Sequence, residues 1–250
     1  MKMVLLTALG VGGATVIGAV LGFIFKKISH KFSDIVLAFA AGVMLCAAIT
    51  GLILPALEQP CPMPLLVTVA GVFSGAVFLS ILDRVTPHLH RLAGVEQETH
   101  PGDNAKLNKI LLFVMAIAIH NLPEGIAAGV GFGTGNDSQA LTIAAGIALQ
   151  NIPEGMVIIA PMLAAGISPW RTFICAAATG VIEVLGTLLG YFAVSVSTAI
   201  LPFALAFAGG TMLYVISDEM IPETHHSEAR GVTYSLLAGF CLMLAMNYFL

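Results

Sequence analysis

The sequence predicts an all-α polytopic membrane protein with eight transmembrane helices. Apolar residues make up 58% of the 250 residues and charged residues only 10%, against about 25% charged residues in an ordinary soluble domain. Apolar segments recur along the whole chain, and each reaches the length of about 20 residues that crosses a bilayer. Positive charges are concentrated in alternate loops between these segments, a pattern typical of membrane proteins.

The eight predicted spans follow one another as a single transmembrane domain over residues 1–250. Proline and glycine mark the breaks, as with Pro60, Pro62 and Pro64 after the second span. A cleaved signal peptide is the alternative for the first span, but that span is too long for a usual signal core and similar segments follow it. Numbered 1 to 8, the predicted spans are residues 4–25, 33–57, 64–84, 108–132, 138–163, 170–192, 198–220 and 230–250.

Lysine and arginine set the predicted orientation. Only Lys2, of the ten such residues, lies on the side of the N-terminus. Because positive residues are retained in cytoplasmic loops, we predict that both termini are extracytoplasmic. The longest cytoplasmic loop, residues 85–107, is rich in proline, glycine and charge and is predicted to be flexible. The positive residues of loops one, three, five and seven are Lys26, Lys27, Lys31, Arg84, Arg91, Lys106, Lys109, Arg171 and Arg230.

Composition also excludes several classes of function. The net charge is -4 and no basic cluster is present, so nucleic acid is not an expected partner. The four cysteines are scattered without the CxxC spacing of a zinc or redox site. No cofactor is expected.

Spans 4 and 5 carry nearly the same polar motif inside apolar sequence. Span 4 contains HNLPEG from His120, and span 5 contains QNIPEG from Gln150. The first and fifth residues of each motif lie four apart and share one helix face, which pairs His120 with Glu124 and Gln150 with Glu154. Two polar faces in matching positions of neighbouring spans indicate a shared site.

Three acidic residues, Glu124, Glu154 and Glu183, fall deep inside predicted spans. A charge near the bilayer centre costs about 2.5–3.5 kcal/mol even on insertion scales. No lysine or arginine is predicted at the same depth. The carboxylates must therefore be protonated, hydrated or bound to cations, and a divalent cation held between them would balance their charge. Intramembrane ionisable residues usually mark a functional site.

The prolines of the two motifs, Pro123 and Pro153, have no N–H to donate. We expect them to kink both helices and to free the carbonyls of Ile119 and Leu149, which lipid tolerates where they line a polar cavity. Imidazole, carboxylate and amide donors suit zinc, iron, cobalt or manganese. The alternative is a pair of kinked helices whose polar groups only hydrogen-bond each other.

These residues resemble the ZIP (Zrt-/Irt-like protein) family of divalent metal transporters. HNLPEG in span 4 is typical of the family, and QNIPEG in span 5 is similar to its bacterial GufA-like branch. The resemblance covers the whole chain and implies a two-metal site between spans 4 and 5. It assigns His120, Glu124, Gln150 and Glu154 to a primary site, completed by Met44 of span 2.

The resemblance also implies a secondary metal site and a path for metal release. Asn121, Asn151 and Glu183 match the secondary site, with Glu124 and Glu154 bridging the two ions. Relatives in this branch often carry an aspartate in place of Asn151. The segments LDRVTPHLH and YVISDEMIPETHH resemble the release path, whose candidate residues are Asp83, His88, His90, Asp218 and Glu219.

The sequence thus predicts a transporter of divalent transition metals, zinc above all and also cadmium, iron, manganese or cobalt, into the cytoplasm. The metal is its substrate, not a cofactor, and the chain is not expected to be an enzyme. The family resemblance implies an elevator-like motion, a homodimer and a place in a bacterial cytoplasmic (inner) membrane. The alternatives are a metal-dependent intramembrane hydrolase, although the HExxH signature is absent, and a metal sensor without flux.

Overall fold

A computed structural model describes residues 1–25, 30–92, 103–224 and 231–249, and it omits the side chains of residues 30, 83, 85–113 and 116. Within these ranges the chain is helical and contains no β-strand, which confirms the predicted all-α class. The α-helices are α1 Lys2–Ile24, α2 His30–Cys46, α3 Leu54–Glu58, α4 Pro64–Leu92, α5 Asp103–Gly131, α6 Asp137–Ala164, α7 Pro169–Val196, α8 Leu201–Val215, α9 Ile221–Thr224 and α10 Gly231–Phe249.

Seven helical segments of the described residues are long and apolar enough to cross a membrane. The helix α5, with 29 residues, is a further long helix and carries the first polar motif. The predicted loop 85–107 is shorter than expected, because α4 continues to Leu92 and α5 begins at Asp103. The intervening residues 93–102 lie outside the described ranges, so the predicted flexibility there stays a prediction.

Spans 2 and 7 are composite helices. A π-helical segment, Ala47–Ile53, joins α2 to α3, and a second, Ile216–Met220, joins α8 to α9. In the first segment, the Thr50 hydroxyl donates to the carbonyl oxygen of Cys46 at 2.6 Å and accepts from the Asn247 side-chain amide at 2.6 Å. Such segments occur often at functional sites, and the sequence analysis did not predict them.

A side-chain cap and a glycine turn set the start of α6, the helix that carries the second polar motif. The Asn136 side chain accepts a hydrogen bond from the backbone N–H of Gln139, which caps the start of α6. Gly135, with a φ of 74°, makes the left-handed turn before it. Together they fix where α6 begins, and thereby the depth of its motif.

The long helices pack in two groups. In the first group, α1 packs against α6 and α7, and α7 packs against α5. In the second group, α4 packs against α8, and α2 packs against α10. The two groups meet mainly where α2 packs against α6 and where α5 packs against α8, so the polar motifs of α5 and α6 lie in helices that face the second group.

The surroundings of the glycines show that contacts within a group differ from contacts between the two groups. Within the first group, a Cβ at Gly18 would overlap the backbone of Ile152, and within the second group, a Cβ at Gly210 would overlap the backbone of Val72. Between the groups, the glycine contacts are with side chains, as where Gly51 faces Ile143. Close backbone packing of this kind fixes helix pairs in lipid, whereas a contact made by side chains alone leaves two surfaces able to separate.

Candidate metal site

The structure places the two motifs side by side, on α5 and α6, and adds Glu183 from α7. The α5–α7 contact is close because Gly125, next to Glu124, has no side chain: a Cβ there would overlap the backbone of Glu183. All the predicted ligands are buried. Their exposed fractions are 7% for His120, 8% for Glu154, 1% for Glu124, and 0% for Met44, Asn121, Gln150, Asn151 and Glu183.

Most of these side chains lack hydrogen-bond partners. Among the described residues, unpartnered buried side-chain atoms occur on His120, Asn121, Glu124, Gln150, Asn151 and Glu219, and elsewhere only on the hydroxyls of Thr68 and Thr172. Both carboxylate oxygens of Glu124 and both amide atoms of Gln150 belong to this set. An unsatisfied buried polar group costs about 1–3 kcal/mol. Gln150 does lie near Glu124, and Asn151 near Glu183, but neither pair has hydrogen-bond geometry, which disfavours the alternative in which the polar groups only bond one another.

The carboxylates form an electrostatic cluster. The Glu124 carboxylate interacts with those of Glu154 and Glu183, and the Glu154 carboxylate also interacts with that of Glu219. Like charges at such proximity repel, and a cation among them removes the repulsion. The arrangement therefore suits a positively charged ligand.

Glu219 reaches the site from the second group of helices. Its Oε1 lies 2.6 Å from Nε2 of His120, within ion-pair distance but without the alignment of a hydrogen bond. Glu219 lies in the π-helical segment Ile216–Met220, beside the exposed Asp218. The sequence predicts Glu219 only for a release path, whereas the structure brings it to a predicted ligand.

The other predicted residues are less closely tied to the site. Met44 is buried in the same hydrophobic cluster as Ile119 and Ile147, which flank the two motifs. His88 and His90 lie on α4, as does Asp83, and their side chains are outside the described part of the structure. Their role in a release path stays a prediction.

Two residues of α1, which the sequence analysis did not single out, contact the predicted secondary site. The Thr15 hydroxyl lies 3.0 Å from each carboxylate oxygen of Glu183 and donates to them. The Asn151 side-chain amide donates to the backbone carbonyl of Val11 at 3.2 Å. A threonine in an apolar helix is common and carries no signal of its own, so only the structure links it to the site.

The acidic and imidazole groups alone do not form a closed metal cage. Within the described ranges, no three histidine, cysteine, aspartate or glutamate side chains are grouped so that they could hold a metal ion. The amide oxygens of the motifs, such as that of Gln150, are buried and unpartnered and supply further metal-binding atoms. Pro123 and Pro153 lie inside continuous α-helices, and the kinks predicted at them stay a prediction.

The fold and the site define a class: an all-helical integral membrane protein with a buried cluster of unpartnered carboxylate, amide and imidazole groups. Comparison with known proteins identifies the family. The model of the family described as "ZIP Zinc transporter" matches residues 95–247, and the chain belongs to the ZIP family.

Curated relatives cover nearly the whole chain. The chain is 40% identical to the zinc transporter GufA of Myxococcus xanthus over 97% of each protein. It is 37% identical to the zinc transporter ZIPB of Bordetella bronchiseptica, over 94% of this chain and 77% of that protein. It is 30% identical to the zinc transporter ZupT of Shigella dysenteriae, over 97% of this chain and 95% of that protein. The first of these supports the similarity to the GufA-like branch.

Proposed function

We propose that this protein transports divalent transition-metal ions, with zinc as the main cargo, across a bacterial cytoplasmic membrane into the cytoplasm. The relatives named as zinc transporters support divalent metal transport and do not favour the hydrolase alternative. The observation that carries the proposal is the cluster of buried, unpartnered donors on α5 and α6. Cadmium, iron, manganese and cobalt fit the same donors.

His120, Glu124, Gln150 and Glu154 bind the metal in this proposal, and Met44 adds its thioether. Imidazole nitrogen and carboxylate oxygen are common zinc ligands. Two carboxylates neutralise the charge of one divalent ion, so the ion crosses the membrane without a net charge at the site. Ligands must be deprotonated to bind, so acidic conditions weaken binding.

The exposure of its residues indicates from which side the site is accessible. Asp218 is exposed and Glu219 is partly exposed, whereas Gln150 is fully buried. By the positive-inside prediction, the Glu219 end of the site faces the cytoplasm, so this arrangement supports an inward-facing state. Metal then leaves past Glu219 and Asp218, with Asp83, His88 and His90 further along the path.

The grouping of the helices supports alternating access by an elevator-like motion. The first group, α1, α5, α6 and α7, carries the predicted ligands except Met44, and its helices are held together by backbone contacts at glycines. Such a group moves as one body against the second group, across an interface made by side chains. In this proposal the protein is a homodimer, and the second group of helices faces the partner subunit.

Uptake of radioactive zinc into proteoliposomes tests the proposal. We expect His120→Ala and Glu124→Gln each to abolish uptake, because each removes a ligand whose charge or lone pair the metal needs. The matched control is Thr68→Val, which removes an unpartnered buried hydroxyl of α4, and it transports like the parent. Parental uptake by Glu124→Gln would refute the site assignment, and lack of uptake by the unmodified protein would refute the function.

A further inference from the structure

Glu183 differs from Glu124 in accepting a hydrogen bond from a neighbouring helix. Both oxygens of Glu124 are unpartnered, whereas both oxygens of Glu183 face the hydroxyl of Thr15 at 3.0 Å. Thr15 and Glu183 are each 0% exposed. The carboxylate of Glu183 is thus held by α1, a helix to which the sequence assigns no ligand.

The position of the hydroxyl matters because it is equidistant from the two oxygens. An atom at equal distance from both lies in the plane that bisects the carboxylate. A cation bound by both oxygens at once lies in that plane too, at about 2.0–2.6 Å from each oxygen. Because hydrogen bonds approach a carboxylate oxygen along its lone pairs, away from the carbon, the Thr15 hydroxyl stands on the side of Glu183 that bidentate binding of a cation needs.

The same face of α1 also holds Asn151. Val11 lies four residues before Thr15, and its carbonyl oxygen accepts the Asn151 amide. That hydrogen bond directs the amide nitrogen of Asn151 to α1 and leaves its side-chain oxygen unpartnered. Asn151 brings no negative charge, so the second position offers a metal fewer charges than the first.

Backbone contacts keep α1 at this distance. A Cβ at Gly155 would overlap the carbonyl of Thr15 itself, and a Cβ at Gly180 of α7 would overlap the carbonyl of Gly12. The helix α1 is therefore fixed against both α6 and α7. The backbone of Thr15 therefore cannot move away from α7 without separating helices of the same group.

We propose that Thr15 is a positioning residue that takes the place of a second cation beside Glu183, so that the site carries one metal ion per chain. The hydroxyl gives the buried carboxylate a hydrogen bond, as buried polar groups require, and competes with a bidentate ion. Val11 orients Asn151 in the same arrangement. The inference concerns the metal site of the proposed function and rests on that function for its cargo.

The number of cadmium ions bound per chain tests this inference. Equilibrium dialysis of the purified protein in detergent, followed by elemental analysis, is applied to the parent, Thr15→Ser, Asn151→Asp and Thr15→Val/Asn151→Asp. The parent and Thr15→Ser, which keeps the hydroxyl, are expected to bind one ion. The double variant is expected to bind two, the second about ten-fold more tightly than Asn151→Asp alone.

Two results would overturn the role of Thr15: two ions bound by the parent, or equal affinity for the second ion in Asn151→Asp and the double variant. Thr15→Ala replaces Thr15→Val if the valine prevents folding. A parent that binds no cadmium would instead refute the proposed metal site, and with it this inference. Failure of the two proposals is thereby distinguishable, because zinc uptake by the parent depends on the first ion alone.

Discussion

The side chains of Glu124 and Gln150 are buried in a state that is unfavourable for the protein by itself. Their polar atoms have left water and have not gained hydrogen bonds, which costs about 1–3 kcal/mol for each group. Residues that lower stability in this way are typical of sites shaped for a ligand. A bound metal replaces the hydrogen bonds to water that these atoms lost on burial.

The Gln150→Met substitution removes this unpartnered buried amide. Methionine is nearly isosteric and needs no hydrogen bond, so the metal-free variant is expected to be more stable than the parent by about 1–3 kcal/mol. The variant is also expected to lose most of its stabilisation by zinc. For the parent, zinc at a hundred times its Kd stabilises the folded state by about 2.7 kcal/mol. Thermal unfolding with and without zinc, followed by the fluorescence of Trp170, measures both effects.

Gln139→Met is the matched control, since Gln139 lies on the same helix, outside the motif. It is expected to leave the zinc-induced shift in Tm unchanged. A Gln150→Met variant that is less stable without metal would contradict the cost assigned to the buried amide, and one equally stabilised by zinc would show that the amide is not a ligand.

At the scale of helices, the glycine positions determine which helices pack closely against each other. Gly18 allows α1 to approach the backbone of Ile152 in α6, and Gly125 allows α5 to approach α7 at Glu183. Lipid provides no hydrophobic force between helices, so such close packing is a main source of their association. The ligands keep their spacing because these helices cannot separate.

Two alanine substitutions on α1 separate this packing from helix propensity. Gly18→Ala is expected to destabilise the protein by about 1–3 kcal/mol, because the new methyl group would overlap the backbone of α6. Gly13→Ala meets no atom within 4 Å and is expected to be neutral or to stabilise by up to about 1 kcal/mol. Unfolding in mixed detergent measures both, and equal effects of the two variants would argue against the backbone contact.

The sequence predicted the helices and the clustering of the motifs because both depend on local and strong signals. Ionisable residues are rare inside spans, so Glu124 and Glu154 were conspicuous without a structure. The roles of Thr15 and Val11 depend on which helix packs beside Glu183 and Asn151, and no property of α1 indicates its neighbours. The π-helical segments were also missed, because Thr50 and Glu219 occur in sequence that is equally compatible with α-helix.

The whole molecule consists of two groups of helices, and this division was not predictable because all eight spans are apolar on most of their surface. The contact between the groups lies partly at Gly51 of span 2 and Ile143 of α6, on the extracytoplasmic side in the predicted orientation. If the groups move past each other during transport, this contact must open to admit metal. The contact between α5 and α6 at Gly131 and Ala140 lies within the first group and must stay closed.

Zinc uptake by two double-cysteine variants tests this central claim most directly. A Cβ at Gly51 would lie 3.9 Å from that of Ile143, and a Cβ at Gly131 would lie 3.8 Å from that of Ala140, and both distances suit a disulfide. Each pair is introduced after replacement of the four native cysteines and compared oxidised and reduced. The account predicts that oxidation stops uptake by Gly51→Cys/Ile143→Cys, reversibly on reduction, and leaves uptake by Gly131→Cys/Ala140→Cys unchanged. Full uptake by the oxidised, cross-linked Gly51→Cys/Ile143→Cys variant would contradict it.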